Sequence, residues 1–573
     1  MSDDQTAPIF TSPVGQTTSL VASNICLRRQ VQIVKQLQKL LNRSHVNEHY
    51  GNPNISTISE ILSAQKELLL RGQAAQSLHR STKDWQNFDK LLSANEGYTV
   101  AVKDNINTHR LPTTAASNIL RTFQPHQNAT VTRLLEKAGL VLLAKTNMDE
   151  FGMGSHSLNS AFGRMSNGGH RDALSVGGSS GGSAVVVSEY MAHYGIGTDT
   201  GGSVRLPAAY MALVGFKPSY GRISRYGVIP YANSLDTVGI IARSARDIHL
   251  MYDILDSPDP LDPTCLNADT RRRIMEVKNQ RRSEVQGSLI TYTSPRTLGP
   301  LKKLGRWQGN PVRKTRHRRI GIPLEYNIAE MHPMVRWAWT ATLSFLQSRG
   351  HEIVPISLPS TRHALSAYYI LAPAEASSNL AKYDGVRYGQ QRTSPSAEDD
   401  NTLYAAHRYD YFGPEVRRRI LLGTYSLSAG AMDNYFIKAQ KIRRMVQNDF
   451  DSVFRMANPL RNNSVGVKNG VDIIICPTAP TPPPHVKYLD SSSPTESYMN
   501  DVFTVPASLA GLPSISTPGP IHPDYPWKPE LATSIQVIAQ YGDDYEAIYM
   551  AKGLLSLFHA NRPVTNSNKV KPM

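Results

Sequence analysis

The chain has 573 residues, 40% hydrophobic and 19% charged, an ordinary globular composition that can bury a large core in one big domain or several smaller ones. No apolar run reaches the roughly 18 residues a membrane helix needs, and Cys26, Cys265 and Cys476 stand far apart with no CxxC; a membrane span, a disulfide framework and a thiolate zinc site are therefore not expected, and a soluble chain in a reducing compartment is. The net charge of +16 does not describe the whole chain, because residues 271–319 hold 15 Lys and Arg against Glu276 and Glu284, a local net of +13.

Residues 1–50 read as an N-terminal extension. Asp3 and Asp4 precede an acid-free stretch, 5–47, that carries Arg28, Arg29, Lys35, Lys39 and Arg43 among many Ser and Thr, which is transit-peptide chemistry. Val31, Val34, Leu37 and Leu41 recur there at helical spacing, so a first amphipathic helix is the competing reading. From residue 51 onward, apolar runs at 98–102, 140–144, 194–197, 320–322 and 473–475 predict buried strands, while 130–138, 335–347 and 415–450 carry helical periodicity. That alternation predicts an α/β domain, 51–573, around a large, mostly buried mixed sheet flanked by helices. The basic segment has Pro and Gly breaks and little apolar periodicity, which predicts a mobile insertion at 266–319. The PTAPTPPP run at 477–484 predicts a loop, and no internal repeat is visible.

Two glycine-rich stretches stand out, GGSSGGSA at 177–184 and GTDTGGSVR at 197–205. Apolar residues abut both, which suits buried strand and helix ends better than a solvated linker. A serine needs a neighbour to take its proton, and the usual neighbour is a histidine held by a carboxylate. Residues 178–182 satisfy G-x-S-x-G around Ser180, as in a hydrolase elbow, but that leaves the second stretch unexplained. A phosphate loop would need a Lys-Ser/Thr ending that is absent.

Both stretches, together with AVKDNI at 101–106, resemble the amidase signature family from about residue 98 to the C-terminal region. The resemblance implies the amidase signature fold and a Ser-Lys relay in place of histidine: Ser203 as acyl-forming nucleophile, Ser179 as bridging serine after a cis peptide bond, and Lys103 as base. For Lys103 to accept a proton near neutral pH its pKa must fall by several units, which burial can achieve. Thr200, Gly201 and Gly202 lack the bulk that would keep backbone N–H groups from converging on an oxyanion. Asp199 and Arg205 are expected to form a buried structural ion pair.

Within the family, NMDEFGMG (147–154), KPSYGRISRYG (217–227), residues 234–237, EASSNLAKYDGVRYG (375–389) and NDVFTVPASLAG (500–511) are similar to the ammonia-supplying components of organellar tRNA-dependent amidotransferases. MALVG at 211–215 stands where a Cys-Gly is commoner, and the basic insertion is atypical. The resemblance implies glutamine as substrate and a mitochondrial location. It also implies no metal in this chain, ATP and Mg on a partner B subunit that activates Glu-tRNA(Gln), and a small bridging subunit. An amino-acid substrate needs a cation for its carboxylate and an anion for its ammonium. Arg387 is the expected cation; Asp472 is the expected anion, with Asp501 as runner-up. A stand-alone amidase and a silent scaffold or RNA-binding protein are the competing functions.

Overall fold

In the computed structural model the described residues are 98–165, 174–285, 317–390, 405–462, 464–525 and 528–560. The expected extension at 1–50 and the middle of the basic segment, 286–316, lie outside them.

Ten strands form one mixed sheet: β1 Thr99–Lys103, β2 Val141–Thr146, β3 Tyr194–Asp199, β4 Val214–Lys217, β5 Thr237–Ala242, β6 Arg319–Pro323, β7 Glu352–Ile356, β8 Ile473–Pro477, β9 Ser514–Pro518 and β10 Ser534–Ala539. Their order is β2-β1-β3-β5-β4-β9-β10-β8-β6-β7. The outer three strands at each end are mutually parallel, and an antiparallel run from β3 to β8 joins them. Every expected strand is present. Five others were not legible as apolar runs, because the buried positions of several are filled by small or polar residues. Ser514, Ser516 and Gln536 are all fully buried, and Gln536 can be so because its side-chain amide donates to the Phe503 carbonyl (2.9 Å) and accepts from Arg205 (2.7 Å).

Among the helices are α1 Thr130–Lys137, α2 Gly181–Ser188, α3 Arg205–Tyr210, α4 Ala245–Leu255, α5 Ala268–Val285, α6 Pro333–Ser348, α7 Ala364–Asn379, α8 Pro414–Ser426, α9 Lys438–Val453 and α10 Asp544–Ala560. The single helix expected at 415–450 is two, α8 and α9, separated by a turn and a π-helical segment, Asp433–Ile437. In that turn Ser428 Oγ donates back to the Tyr425 carbonyl (2.7 Å), a local bond that competes with helix continuation, while the apolar period runs on across the break.

The expected mobile insertion is corrected at both flanks. Residues 268–285 are the helix α5, and Arg271 is clamped: its guanidinium pairs with Asp256 and donates to the carbonyls of Leu266 (2.9 Å), Arg222 (2.5 Å) and Ser257 (3.2 Å). Lys278 pairs with Asp543 at 3.0 Å. At the far flank Arg318 pairs with Glu546, and Arg319 opens β6 and reaches Glu352 at 3.0 Å. A guanidinium satisfied by carbonyls and one bathed in water look alike in a charge count.

The topology places the site. β1 and β3 are adjacent and parallel, so Lys103 and Asp199, their last residues, emerge at the same edge of the sheet, where open α/β sheets bind ligands.

Arg271→Gln should lower the thermal midpoint by several degrees, since it removes a partly buried ion pair and charged hydrogen bonds to three carbonyls, contacts worth about 1.5–3 kcal/mol each at most. Arg272→Gln, whose side chain is 72% exposed, should stay within about 0.5 kcal/mol of the parent. Differential scanning fluorimetry of the two variants checks the contrast; equal midpoints would return Arg271 to the solvated class.

Candidate active site

Lys103 is fully buried, and its Nζ lies 2.7 Å from Ser179 Oγ and 3.3 Å from the Thr198 carbonyl. Burial lowers its pKa to about 7, while the negative charges of Asp149, Asp199 and Asp236 oppose that shift. Burial thus moves the titration of the amine towards neutral pH.

Ser179 sits on the first glycine-rich turn, which feeds α2, and the Gly178–Ser179 peptide is cis. Asp149 grips the segment packed against this turn: its carboxylate accepts the N–H groups of Ser157 (2.9 Å) and Asn159 (3.0 Å), and its own N–H donates to the Ser179 carbonyl (3.3 Å). Ser157 Oγ donates to the Gly177 carbonyl (2.7 Å) and accepts from Gly181 N–H (3.2 Å). At position 178 a Cβ would fall 2.3 Å from Asp149 Oδ2 and 2.6 Å from His156 N, so only glycine allows this approach. Ala115, Ala116, Phe151 and Ser157 are four of the six non-glycine residues with positive φ among the described residues. Such conformations cost on the order of 1–3 kcal/mol each and persist where surrounding structure imposes them.

The second turn follows β3. Asp199 Oδ2 accepts Val204 N–H (3.1 Å) and Arg205 Nε (3.0 Å), and Oδ1 accepts Arg205 Nη2 (2.8 Å). Arg205 also donates to the Thr504 carbonyl (2.8 Å), Gln536 (2.7 Å) and Ser508 Oγ (2.8 Å), and both charged side chains are fully buried. Burial alone would push the Asp199 carboxyl up; the Arg205 fork more than reverses it and holds the group below its ordinary value. Thr200 Oγ1 donates to Asp236 (2.7 Å), which also accepts the N–H groups of Tyr231 (2.8 Å) and Ala232 (3.0 Å). A Cβ at Gly202 would lie 2.4 Å from Thr504 Oγ1 and 2.9 Å from Asp501 Oδ1. Ser203 keeps 8% exposure, and its carbonyl accepts Ser180 N–H (3.1 Å), which ties the two turns together.

The hydrolase-elbow pattern finds no matching geometry. Ser180 is fully buried and donates to the Thr198 carbonyl (3.2 Å), and the nearby buried His156 is engaged by Ser175 (2.9 Å) and Asn500 (3.2 Å).

The expected substrate-binding residues are not all brought to this place. Asp472 is a correction: it precedes β8, the fifth strand from β3, where it accepts Arg319 N–H (2.9 Å) and pairs with Arg455 (3.4 Å). It closes a strand end there. The runner-up, Asp501, borders Gly202 directly and accepts hydrogen bonds from Ser155 Oγ (2.7 Å) and Tyr369 OH (3.3 Å). Burial raises its pKa to about 6. Arg387 is 75% exposed and forks onto Asp384 (2.9 Å). Its loop packs at Gly389 against Ile119, in the segment just after Ala115 and Ala116. Asp149 and Thr504 received no role from the sequence, although NMDEFGMG and NDVFTVPASLAG signalled their regions; Tyr368, whose ring would lie 2.6 Å from a Cβ at Gly201, falls in no motif at all.

An amidase family model matches residues 72–548. The chain is 50% identical, over 79% of its own length and 88% of the relative's, to the mitochondrial glutamyl-tRNA(Gln) amidotransferase A subunit of Emericella nidulans. It is 49% identical to the protein of the same name from Coccidioides posadasii, over 79% and 87% of the two chains. Among solved structures, the glutamyl-tRNA(Gln) amidotransferase A subunit from Thermotoga maritima is similar at 30% identity and a TM-score of 0.58, covering 81% of this chain and 83% of that one.

Gly178→Ala should abolish labelling of the serine cluster by a sulfonyl fluoride, because the added methyl cannot share space with Asp149 and His156. Mass spectrometry of the labelled protein checks this; undiminished labelling would show that the turn tolerates another shape.

Proposed function

The chain belongs to the amidase family, and on that premise we propose that it is the glutamine-hydrolysing component of a mitochondrial glutamyl-tRNA(Gln) amidotransferase. The observation that carries this reading is the 2.7 Å contact between buried Lys103 and Ser179, on a turn bonded to Ser203, in a chain about half identical to proteins of that name.

Ser203 Oγ attacks the side-chain amide carbon of glutamine, and its proton passes through Ser179 to Lys103. The ammonium so formed is stabilised by Asp149, Asp199 and Asp236, the carboxylates that already bias Lys103 towards its charged form. Backbone N–H groups of Thr200, Gly201 and Gly202 hold the oxyanion. Collapse returns the proton to the leaving nitrogen and expels ammonia. Water then attacks the glutamyl ester with the relay run in reverse, and glutamate leaves. Asp501 takes the substrate ammonium in place of Asp472, and Arg387, oriented by Asp384, takes the α-carboxylate.

The ammonia is consumed on a partner B subunit, where ATP and Mg activate Glu-tRNA(Gln), with a small third subunit bridging the two. No metal or cofactor is assigned to this chain. Relatives named mitochondrial, together with the basic, acid-free stretch 5–47, support import into the matrix with residues 1–50 as the targeting segment.

Ser203→Ala should lower ammonia release from glutamine by at least about 10⁴-fold with the thermal midpoint retained; near-normal acyl-enzyme formation in that variant would sink the assignment. Lys103→Ala and Ser179→Ala should lose similar activity, and their double variant should be no worse than the poorer single one, since relay members act as a unit. Asp501→Asn should chiefly raise the glutamine KM, whereas Asp472→Asn should leave KM unchanged. Steady-state ammonia assays decide both.

A further inference from the structure

We infer that His156 is a positioning residue that ties the segment carrying Asp501 to the turn carrying Ser179, so that substrate binding and relay geometry are set together. The inference rests on the function proposed above and concerns a buried imidazole that the relay does not use.

Three sets of contacts meet at this residue. Nδ1 lies 2.9 Å from Ser175 Oγ, which also accepts the N–H of Gly177 (3.1 Å), two residues before Ser179. Nε2 lies 3.2 Å from Asn500 Nδ2, on the residue next to Asp501. The ring stacks on Tyr210 at 6.4 Å and 14°. Tyr210 is the last residue of α3, the helix that begins two residues after Ser203, and its hydroxyl donates to Asn500 Oδ1 (2.8 Å). One side chain thus touches the supports of the bridging serine, of the nucleophile's helix and of the substrate segment.

The hydrogen-bond directions follow from chemistry. Asn500 Nδ2 also donates to the Ser497 carbonyl (3.2 Å), which can only accept, so the amide orientation is fixed and Nε2 must be an acceptor. Nδ1 then carries the hydrogen and donates to Ser175. This requires a neutral ring, and burial does lower the His156 pKa to about 4. The backbone converges at the same point: His156 N would lie 2.6 Å from a Cβ at Gly178, and Ser155 Oγ donates to Asp501 (2.7 Å).

A histidine that merely fills the core would change stability when its partners are cut. A positioning histidine changes kinetics in a way that depends on which side is cut. In the full-length chain with its partner subunits and glutamine as substrate, Ser175→Ala cuts the relay side and should lower kcat roughly tenfold with KM within about twofold. Tyr210→Phe keeps the stacked ring and cuts the substrate side, so it should raise KM by roughly three- to tenfold with kcat within about twofold. His156→Phe should do both, and adding Ser175→Ala to it should cost no further kcat. If His156→Phe does not fold, the two hydroxyl deletions decide alone. Wild-type kcat and KM in those two, with only the thermal midpoint moved, would overturn the inference. Retained ammonia release by Ser203→Ala would instead overturn the reading on which it rests.

Discussion

The contact between Lys103 Nζ and Ser179 Oγ serves proton transfer only if the lysine gives up its charge, and the surrounding architecture meets that condition by full burial at the end of β1. Three carboxylates nearby keep the shift from going further, so the amine can be recharged when it takes a proton. Lys217, at the end of β4, shows that burial alone is not enough. It too is lowered to about 7, but its Nζ is spent on the carbonyls of Pro218 (3.0 Å) and Leu512 (2.6 Å). What makes Lys103 a candidate base is the hydroxyl it faces.

That hydroxyl must be held still, and the two glycine-rich turns are pinned from outside to do so. Asp149 and Ser157 hold the first; the Asp199–Arg205 pair holds the second and reaches through Arg205 to Thr504, Ser508 and Gln536. The buried ion pair stabilises little beyond its own desolvation, but every donor on its fork that touches the C-terminal segment also fixes where Asp501 stands relative to Gly202. The segment carrying Asp501 and the two glycine-rich turns share one scaffold.

Much of this was legible in the sequence, because the turns leave strong local marks. Small residues in GGSSGGSA and GTDTGGSVR are where close backbone approach demands them, and the Asp199–Arg205 spacing places both groups across one turn. Fully buried strands such as β9 and β10 were not legible, since buried polar residues such as Ser516, bonded to Thr478, and Gln536, bonded to Phe503 and Arg205, carry no apolar signature. The choice between Asp472 and Asp501 was also out of reach: both precede or follow apolar segments, and only the sheet order separates a strand-end aspartate from one beside the second glycine-rich turn. The charge of residues 271–319 misled for a related reason, as Arg271 is neutralised by Asp256 and by carbonyls that no charge count includes.

The most direct measurement is the titration of Lys103 itself. In protein carrying 13Cε-labelled lysine, with the resonance assigned by Lys103→Arg, the Lys103 signal should titrate with a midpoint of about 7, the free base predominating above it. A midpoint at the ordinary lysine value of 10.5 would leave the amine charged throughout the physiological range and would contradict its place as the base of the relay.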